Sequence, residues 1–281
     1  MRLRSMIEDD IPGGLRLSTQ AGWNQTASDW RRFLERSPQG CFVMERDGTV
    51  VGTAATIAYQ DRFAWIGMVL VDADFRQQGI GTRLLERAIE LLDRTAVPAK
   101  LDATPIGKPL YAKLGFTPEY EIERWVLRRR PFPGAAAPPC PGLTSGEEER
   151  IFSLDRKLFG ADRTFLLRSL AGEAPEFAMA APQDGHPRGY AFGRRGLFAD
   201  HLGPWVADSR REAKELLDGF LARSRRETVI VDAIRSNAMA VALLEESGFA
   251  RSRPLTRMVR GPNNAPGLPE ALCAILGPEF G

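Results

Sequence analysis

The sequence predicts two similar mixed α/β domains in tandem, and three observations predict it. At 281 residues the chain exceeds the usual span of one domain, and each half is long enough to bury its own core. The stretch RPFPGAAAPPCPG, residues 130–142, suits neither helix nor strand and divides the halves. The same order of apolar patterns is written on either side of it, and Gly115, Phe116 and Arg124 return as Gly248, Phe249 and Arg257 at a constant offset of 133 residues. The expected boundaries are a first domain over 1–130, a linker over 131–142 and a second domain over 143–281.

Element by element, each half opens with a helix, marked by Trp30, Phe33 and Leu34 in the first and Phe165, Leu166 and Leu170 in the second. A hairpin follows, its turn carried by Asp47-Gly48 and again by Asp184-Gly185. Apolar strands come next, over 50–58 and 63–71, then over 189–192 and 198–206. Leu85, Ala88, Ile89 and Leu92 then repeat at helical spacing, as do Ala213, Leu216, Leu217 and Phe220. A short strand (Leu101-Asp102-Ala103; Val231-Asp232-Ala233), a helix, the Gly-Phe pair and a last strand complete each half. An apolar tail over 271–276 ends the pattern.

Composition excludes several classes of function. Thirty-eight basic against 36 acidic residues leave a net charge of +2, too small to point to nucleic acid or an anionic membrane. Cys41, Cys140 and Cys273 are too scattered for a disulfide framework or a zinc site. The two histidines, His186 and His201, lie near no second ligand, so no metal is expected. The start lacks the apolar core of a secretion signal, and no 18-residue apolar run occurs, which leads us to expect a cytoplasmic protein.

The segment 68–92 carries the most chemistry. An apolar strand runs into Arg76-Gln77-Gln78-Gly79-Ile80-Gly81-Thr82 and at once into a helix. Glycines let the backbone come close to a ligand, and a helix start offers unpaired N–H groups and partial positive charge. Together they suit a phosphate or pyrophosphate. The Rossmann fingerprint fails, because Leu84 stands three past Gly81, and the Walker pattern fails for want of Gly-Lys-Ser/Thr.

Arg76-x-x-Gly79-x-Gly81 ahead of a Leu-rich helix resembles the acyl-CoA signature of the GNAT acetyltransferase superfamily. So does Tyr111, four residues before Gly115 in Leu110-Tyr111-Ala112-Lys113-Leu114-Gly115-Phe116. The layout is similar to bacterial tandem GNAT proteins of the YitH type, whose second repeat is degenerate. The resemblance implies mostly antiparallel sheets with a splayed parallel strand pair, and acetyl-CoA as acyl donor. It places the CoA pyrophosphate on the main chain of Arg76, Gln77, Gln78, Gly79, Ile80, Gly81 and Thr82, with the pantetheine arm along Val69 and Val71. Tyr111 is then the acid that protonates the leaving thiolate. Asp102 is the first choice of general base, against the alternatives of a structural carboxylate or water-mediated deprotonation. Thr104 stands where many relatives carry Asn. Trp23, Asn24 and Gln25 suit a small polar amine, or equally a helix staple with caps.

The second half departs from this pattern. No G-x-G follows its strand, where Leu202-Gly203-Pro204-Trp205-Val206-Ala207-Asp208 runs into Ser209-Arg210-Arg211, and Leu244 stands where the tyrosine belongs. It is expected to lack a second active site and to cover the acceptor side of the first, with Asp200 or His201 as candidates to reach a shared cleft. The expected acceptor is a small-molecule primary amine. The alternatives are a protein or peptide amine, or a non-catalytic acyl-CoA sensor. No nucleic-acid or membrane partner is expected, and the protein is taken as a monomer or homodimer.

Overall fold

The computed structural model describes residues 1–129, 143–181 and 188–281. The linker with Cys140, the Asp184-Gly185 turn and His186 lie outside the described residues. The described chain forms two compact units. Unit 1 comprises Met1–Glu119, Arg257–Asn264 and Phe280, and unit 2 comprises Tyr120–Thr256, Ala265–Glu279 and Gly281. The units therefore differ from the expected halves. The last strand of the first half falls in unit 2 from Tyr120 on, and the Arg257–Arg260 end of the last strand of the second half falls in unit 1, because the apolar and ion-pairing residues of those segments find their partners there.

Unit 1 runs through strand β1 (Arg2–Ser5), helices α1 (Ile11–Gln20) and α2 (Ala27–Arg36), strands β2 (Cys41–Arg46), β3 (Thr49–Tyr59) and β4 (Phe63–Val71), helix α3 (Ile80–Asp93), strand β5 (Ala99–Ala103) and helix α4 (Lys108–Lys113). The strands follow the order β1-β2-β3-β4-β5, with the Arg257–Arg260 end of the late strand β11 (Ala250–Arg260) beside β5. Neighbours from β1 to β4 are antiparallel, and β4 and β5 are parallel. The Asp47-Gly48 turn takes positive φ at both residues (51° and 78°), as the hairpin pattern predicts. Leu84, Leu85, Ala88 and Ile89 of α3 bury against Ala54, Ala64, Ile66, Leu101 and Met258. That close-packed layer holds the start of α3 against the end of β4.

Helix α1 escapes the periodicity because Pro12-Gly13-Gly14 mimics a turn. Pro12 sits in the first turn, where no N–H is needed. A Cβ at Gly13 would lie 2.8 Å from Val50 Cβ, and one at Gly14 would lie 3.0 Å from the Trp30 ring, so the glycines permit close packing.

Unit 2 contains strand β6 (Thr117–Arg128, from Tyr120 on), helices α5 (Ser145–Phe159) and α6 (Thr164–Glu173), strands β7 (Met179–Ala180), β8 (Gly189–Arg195) and β9 (Asp200–Ala207), helix α7 (Arg210–Arg223), strand β10 (Thr228–Ile234), helix α8 (Ala238–Glu246) and strand β12 (Leu272–Ala274). Its strands follow the order β6-β10-β12-β9-β8-β7. No helix among the described residues is long and apolar enough to cross a membrane.

At matching positions each unit holds a buried Arg–Asp pair. In unit 1, Arg257 Nε and Nη2 donate to the two oxygens of Asp102, both at 2.8 Å. In unit 2, Arg124 makes the same fork to Asp232, at 2.8 and 2.7 Å. The duplicated arginines and aspartates thus pair crosswise between the repeats. Burial raises the Asp232 carboxyl, but Arg124 and His201 more than offset it and hold the group far below the usual carboxylate range.

His201 is locked beside this pair. Arg194, which can only donate, lies 3.1 Å from Nδ1, so Nε2 carries the proton and faces Asp232 at 3.0 Å. Burial lowers its pKa below the ordinary 6.5, and Asp232 only partly opposes that. As pH falls below about 6.5 the unfolded chain takes up a proton that folded His201 refuses, so stability declines with acidification. Urea midpoints at pH 7.5 and pH 5 should show this loss in the wild type and a smaller one in His201→Gln. An equal loss in both would exclude His201 as its source.

Candidate active site

Strand β4 has two irregularities that open a site. Met68 and Val69 lie opposite the single residue Ala54 of β3, and Met68 takes φ 53°. Such a bulge turns local main-chain groups out of the ladder. On its other edge β4 pairs with β5 only at Ala64–Ala99 and Trp65–Lys100. Beyond Trp65 the parallel strands part, and the β4 edge that includes Val69 and Val71 faces a gap between them.

The chain leaving β4 becomes the loop before α3. Gln77 (φ 62°) and Gly79 (φ 74°) both take left-handed backbone, which folds the amides inward as an anion nest. Gly79 is the N-cap of α3 and supplies no side-chain cap. Among the described residues, no acceptor takes a hydrogen from the main-chain N–H groups of Gln77 through Thr82. Six consecutive donors at a helix start, with its partial positive charge, suit a diphosphate. A Cβ at Gly79 would meet nothing within 4 Å, and one at Gly81 would meet only Val71 Cγ2 at 3.5 Å, so the space before the loop is open. The Arg76 and Gln78 side chains fold back onto the Val71 and Asp74 carbonyls, each at 3.4 Å, away from that space.

Tyr111 lies half-buried on α4, edge-on to Phe116 at 6.1 Å between ring centroids. Its hydroxyl has no hydrogen-bond partner among the described residues, and burial pushes the phenol up to about 12. Gly107 went unnoticed in the sequence, yet a Cβ there would lie 2.8 Å from the Tyr111 ring. The bare backbone at 107 is what seats the ring, and a glycine one turn before the tyrosine was the available signal.

Asp102 is engaged by an arginine. Both its oxygens accept from Arg257 and its side chain is fully buried, the arrangement of a structural carboxylate. Thr104 Oγ1 accepts from Gly107 N–H at 3.2 Å and so braces the entry to α4. Trp65 is core, fully buried beneath the Arg257 guanidinium at 4.5 Å. Asn24 and Gln25 are buried just before α2, while Trp23 is half-buried. Thr26 and Asp29 form the capping box of α2. Gln25 Oε1 is buried with no hydrogen-bond partner among the described residues.

Among the described residues unit 2 does not repeat this arrangement, for reasons of sequence and of packing. Ser209 Oγ caps α7 by accepting from Glu212 N–H at 3.3 Å, and Leu244 is buried in the core. The apolar tail also fills the gap itself. Strands β9 and β10 pair in parallel over three residues, and β12 then enters between them, bonded antiparallel to both. A Cβ at Gly203 would lie 2.1 Å from the Ile275 carbonyl oxygen, so only glycine admits the tail there. Asp200 and His201 are both buried, the first bonded to Ser224 and the second as described above.

Residues 11–116 match the model of the acetyltransferase (GNAT) family, and residues 151–272 match that of the acetyltransferase (GNAT) domain. The chain belongs to the GNAT acetyltransferase superfamily, as a tandem pair. This GNAT chain is 27% identical to the uncharacterized N-acetyltransferase YitH of Bacillus subtilis over 251 residues, 88% of this chain and 87% of that one. It is 26% identical to a holothin acyltransferase of Pseudoalteromonas over 85% of this chain and 81% of that one. Its fold is that of a solved Pyrococcus horikoshii structure described as an acetyltransferase, with a TM-score of 0.81 and 24% identity over 100% of this chain and 95% of that one.

Proposed function

We propose that this GNAT acetyltransferase moves an acetyl group from acetyl-CoA to the primary amine of a small molecule, and that unit 1 alone does so. The row of unpartnered N–H groups from Gln77 to Thr82 carries the reading. In it the CoA diphosphate sits on those amides, with Arg76 at the loop's mouth, and the pantetheine arm follows the open β4 edge along Val69 and Val71. The main chain at the Met68 bulge polarises the thioester carbonyl. A deprotonated amine attacks, and Tyr111 gives its proton to the departing thiolate. With Asp102 engaged, the amine loses its proton to water. Gln25 Oε1 is a sealed acceptor that an incoming amine N–H satisfies. Its burial beside Asn24 admits only a slim group, which favours a small molecule. Trp23 supplies an apolar wall, and Thr104 keeps a positioning role. The length-wide likeness to YitH and the filled gap in unit 2 support placing the chain with tandem proteins of that type.

Gly81→Val tests the reading. Gly81 has ordinary backbone, so a side chain enters without strain, whereas Gly79 at φ 74° would confound the result. Calorimetric titration should give one acetyl-CoA per chain in the wild type, and affinity weakened about 100-fold in Gly81→Val with an unchanged melting temperature. Two sites per chain, or full affinity in the variant, would refute the assignment.

A further inference from the structure

Unit 2 carries a cavity of about 380 Å³ at the end of α7, between the first residue of β9 and the turn toward β10. None of the chemistry described above uses it. Four arginines line it, Arg195, Arg223, Arg225 and Arg226, against the carboxylates Glu176 and Asp200, which leaves two positive charges unbalanced. Arg195 is paired with Glu176. Arg226 reaches only the Gly196 carbonyl, at 3.4 Å, and Arg225 has no hydrogen-bond or ion-pair partner among the described residues.

The cavity floor is Asp200, only 2% exposed. Its Oδ2 accepts from Ser224 Oγ at 2.7 Å, while Oδ1 is buried and takes no donor among the described residues. Burial, the largest influence on it, raises its pKa above the ordinary carboxylate range. Basic residues at a helix C-terminus answer the helix dipole, and that accounts for Arg223, which caps the Gly219 carbonyl at 2.9 Å. It does not account for a buried acceptor left unpaired among guanidiniums, since such atoms are ordinarily satisfied. The missing partner is a hydrogen-bond donor, and the missing charge at the mouth is a dianion.

We propose that this cavity binds a small phosphate monoester bearing a hydroxyl group, with the arginines holding the phosphate and the hydroxyl donating to Asp200 Oδ1. The volume is that of a small-metabolite site. Guanidinium forks match phosphate oxygens in pairs, and a dianion cancels the surplus charge. The site lies at the far end of the 14-residue helix α7 from Ser209, about 21 Å away. It is therefore separate from the position where a phosphate loop would stand in this repeat.

The test is a calorimetric titration of the full chain with glycerol 3-phosphate, inorganic phosphate and glycerol. Glycerol 3-phosphate should bind saturably and more tightly than inorganic phosphate, and glycerol should not bind. The double variant Arg225→Ala/Arg226→Ala, at exposed positions that the fold does not need, should weaken both phosphates about tenfold or more. Asp200→Ala should narrow the gap between the two phosphates by weakening glycerol 3-phosphate alone. Gly81→Val, which alters the unit 1 loop, should leave the binding intact. No saturable binding of glycerol 3-phosphate, equal binding in the arginine double variant, or binding lost in Gly81→Val would each overturn the proposal. None of these outcomes depends on acetyl transfer being correct.

Discussion

Tyr111→Phe is expected to lower kcat about 100-fold while leaving the affinity for acetyl-CoA within about twofold, at the low end of what a positioned acid contributes. The ring sits against the bare backbone of Gly107 and edge-on to Phe116, and phenylalanine keeps both contacts. Only the hydroxyl is lost, and among the described residues it has no partner whose loss would disturb the fold. Burial pushes the phenol up to about 12, so it stays protonated through the working range. The wild type should therefore show no loss of rate from tyrosine ionisation between pH 8 and about 10. Thiol release followed under steady state decides it. Full turnover in the phenylalanine variant removes the proton donor, and a loss confined to KM makes Tyr111 a binding residue instead. Gly107→Val is a useful companion, since it displaces the ring without touching the hydroxyl.

Arg257→Ala should destabilise the protein by about 3–5 kcal/mol, because it strands the Asp102 carboxylate in a buried site. The Asp102 side chain is fully covered and that of Arg257 is 4% exposed, so water cannot replace the missing partner. The guanidinium also lies 4.5 Å over the Trp65 ring, a contact that alanine removes. Lysine cannot restore the two-point fork, so Arg257→Lys should recover only part of the loss. Urea unfolding measures the change, and a shift below about 1 kcal/mol would show that the pair is dispensable. The same ion pair separates structure from catalysis. Asp102→Asn/Arg257→Met removes both charges together, and its turnover per folded molecule should approach that of the wild type. A collapse of kcat in that folded double variant would restore Asp102 as a general base.

Local chemistry was legible along the chain wherever neighbours in sequence are also neighbours in space. The Asp47-Gly48 hairpin, the α3 stripe of Leu85, Ala88, Ile89 and Leu92, and the glycines that leave the amides of Gln77–Thr82 free all follow from local dihedral freedom and periodicity. The Tyr111 motif and the missing G-x-G after β9 were visible for the same reason, and the repeat at offset 133 was visible because both copies keep the same local pattern. Helix α1 was hidden, because Pro12, Gly13 and Gly14 are chosen for packing against Val50 and Trp30 and not for helix propensity. Three facts belong to tertiary structure alone: the crossing of closing-strand segments between units, the Asp102–Arg257 pair across 155 residues, and the tail entering between β9 and β10. The repeats carry equivalent strands and the same Arg and Asp, so pairing within a half and pairing across the halves present identical local patterns. Only the summed burial of distant side chains chooses between them, and that sum does not exist until the chain has folded.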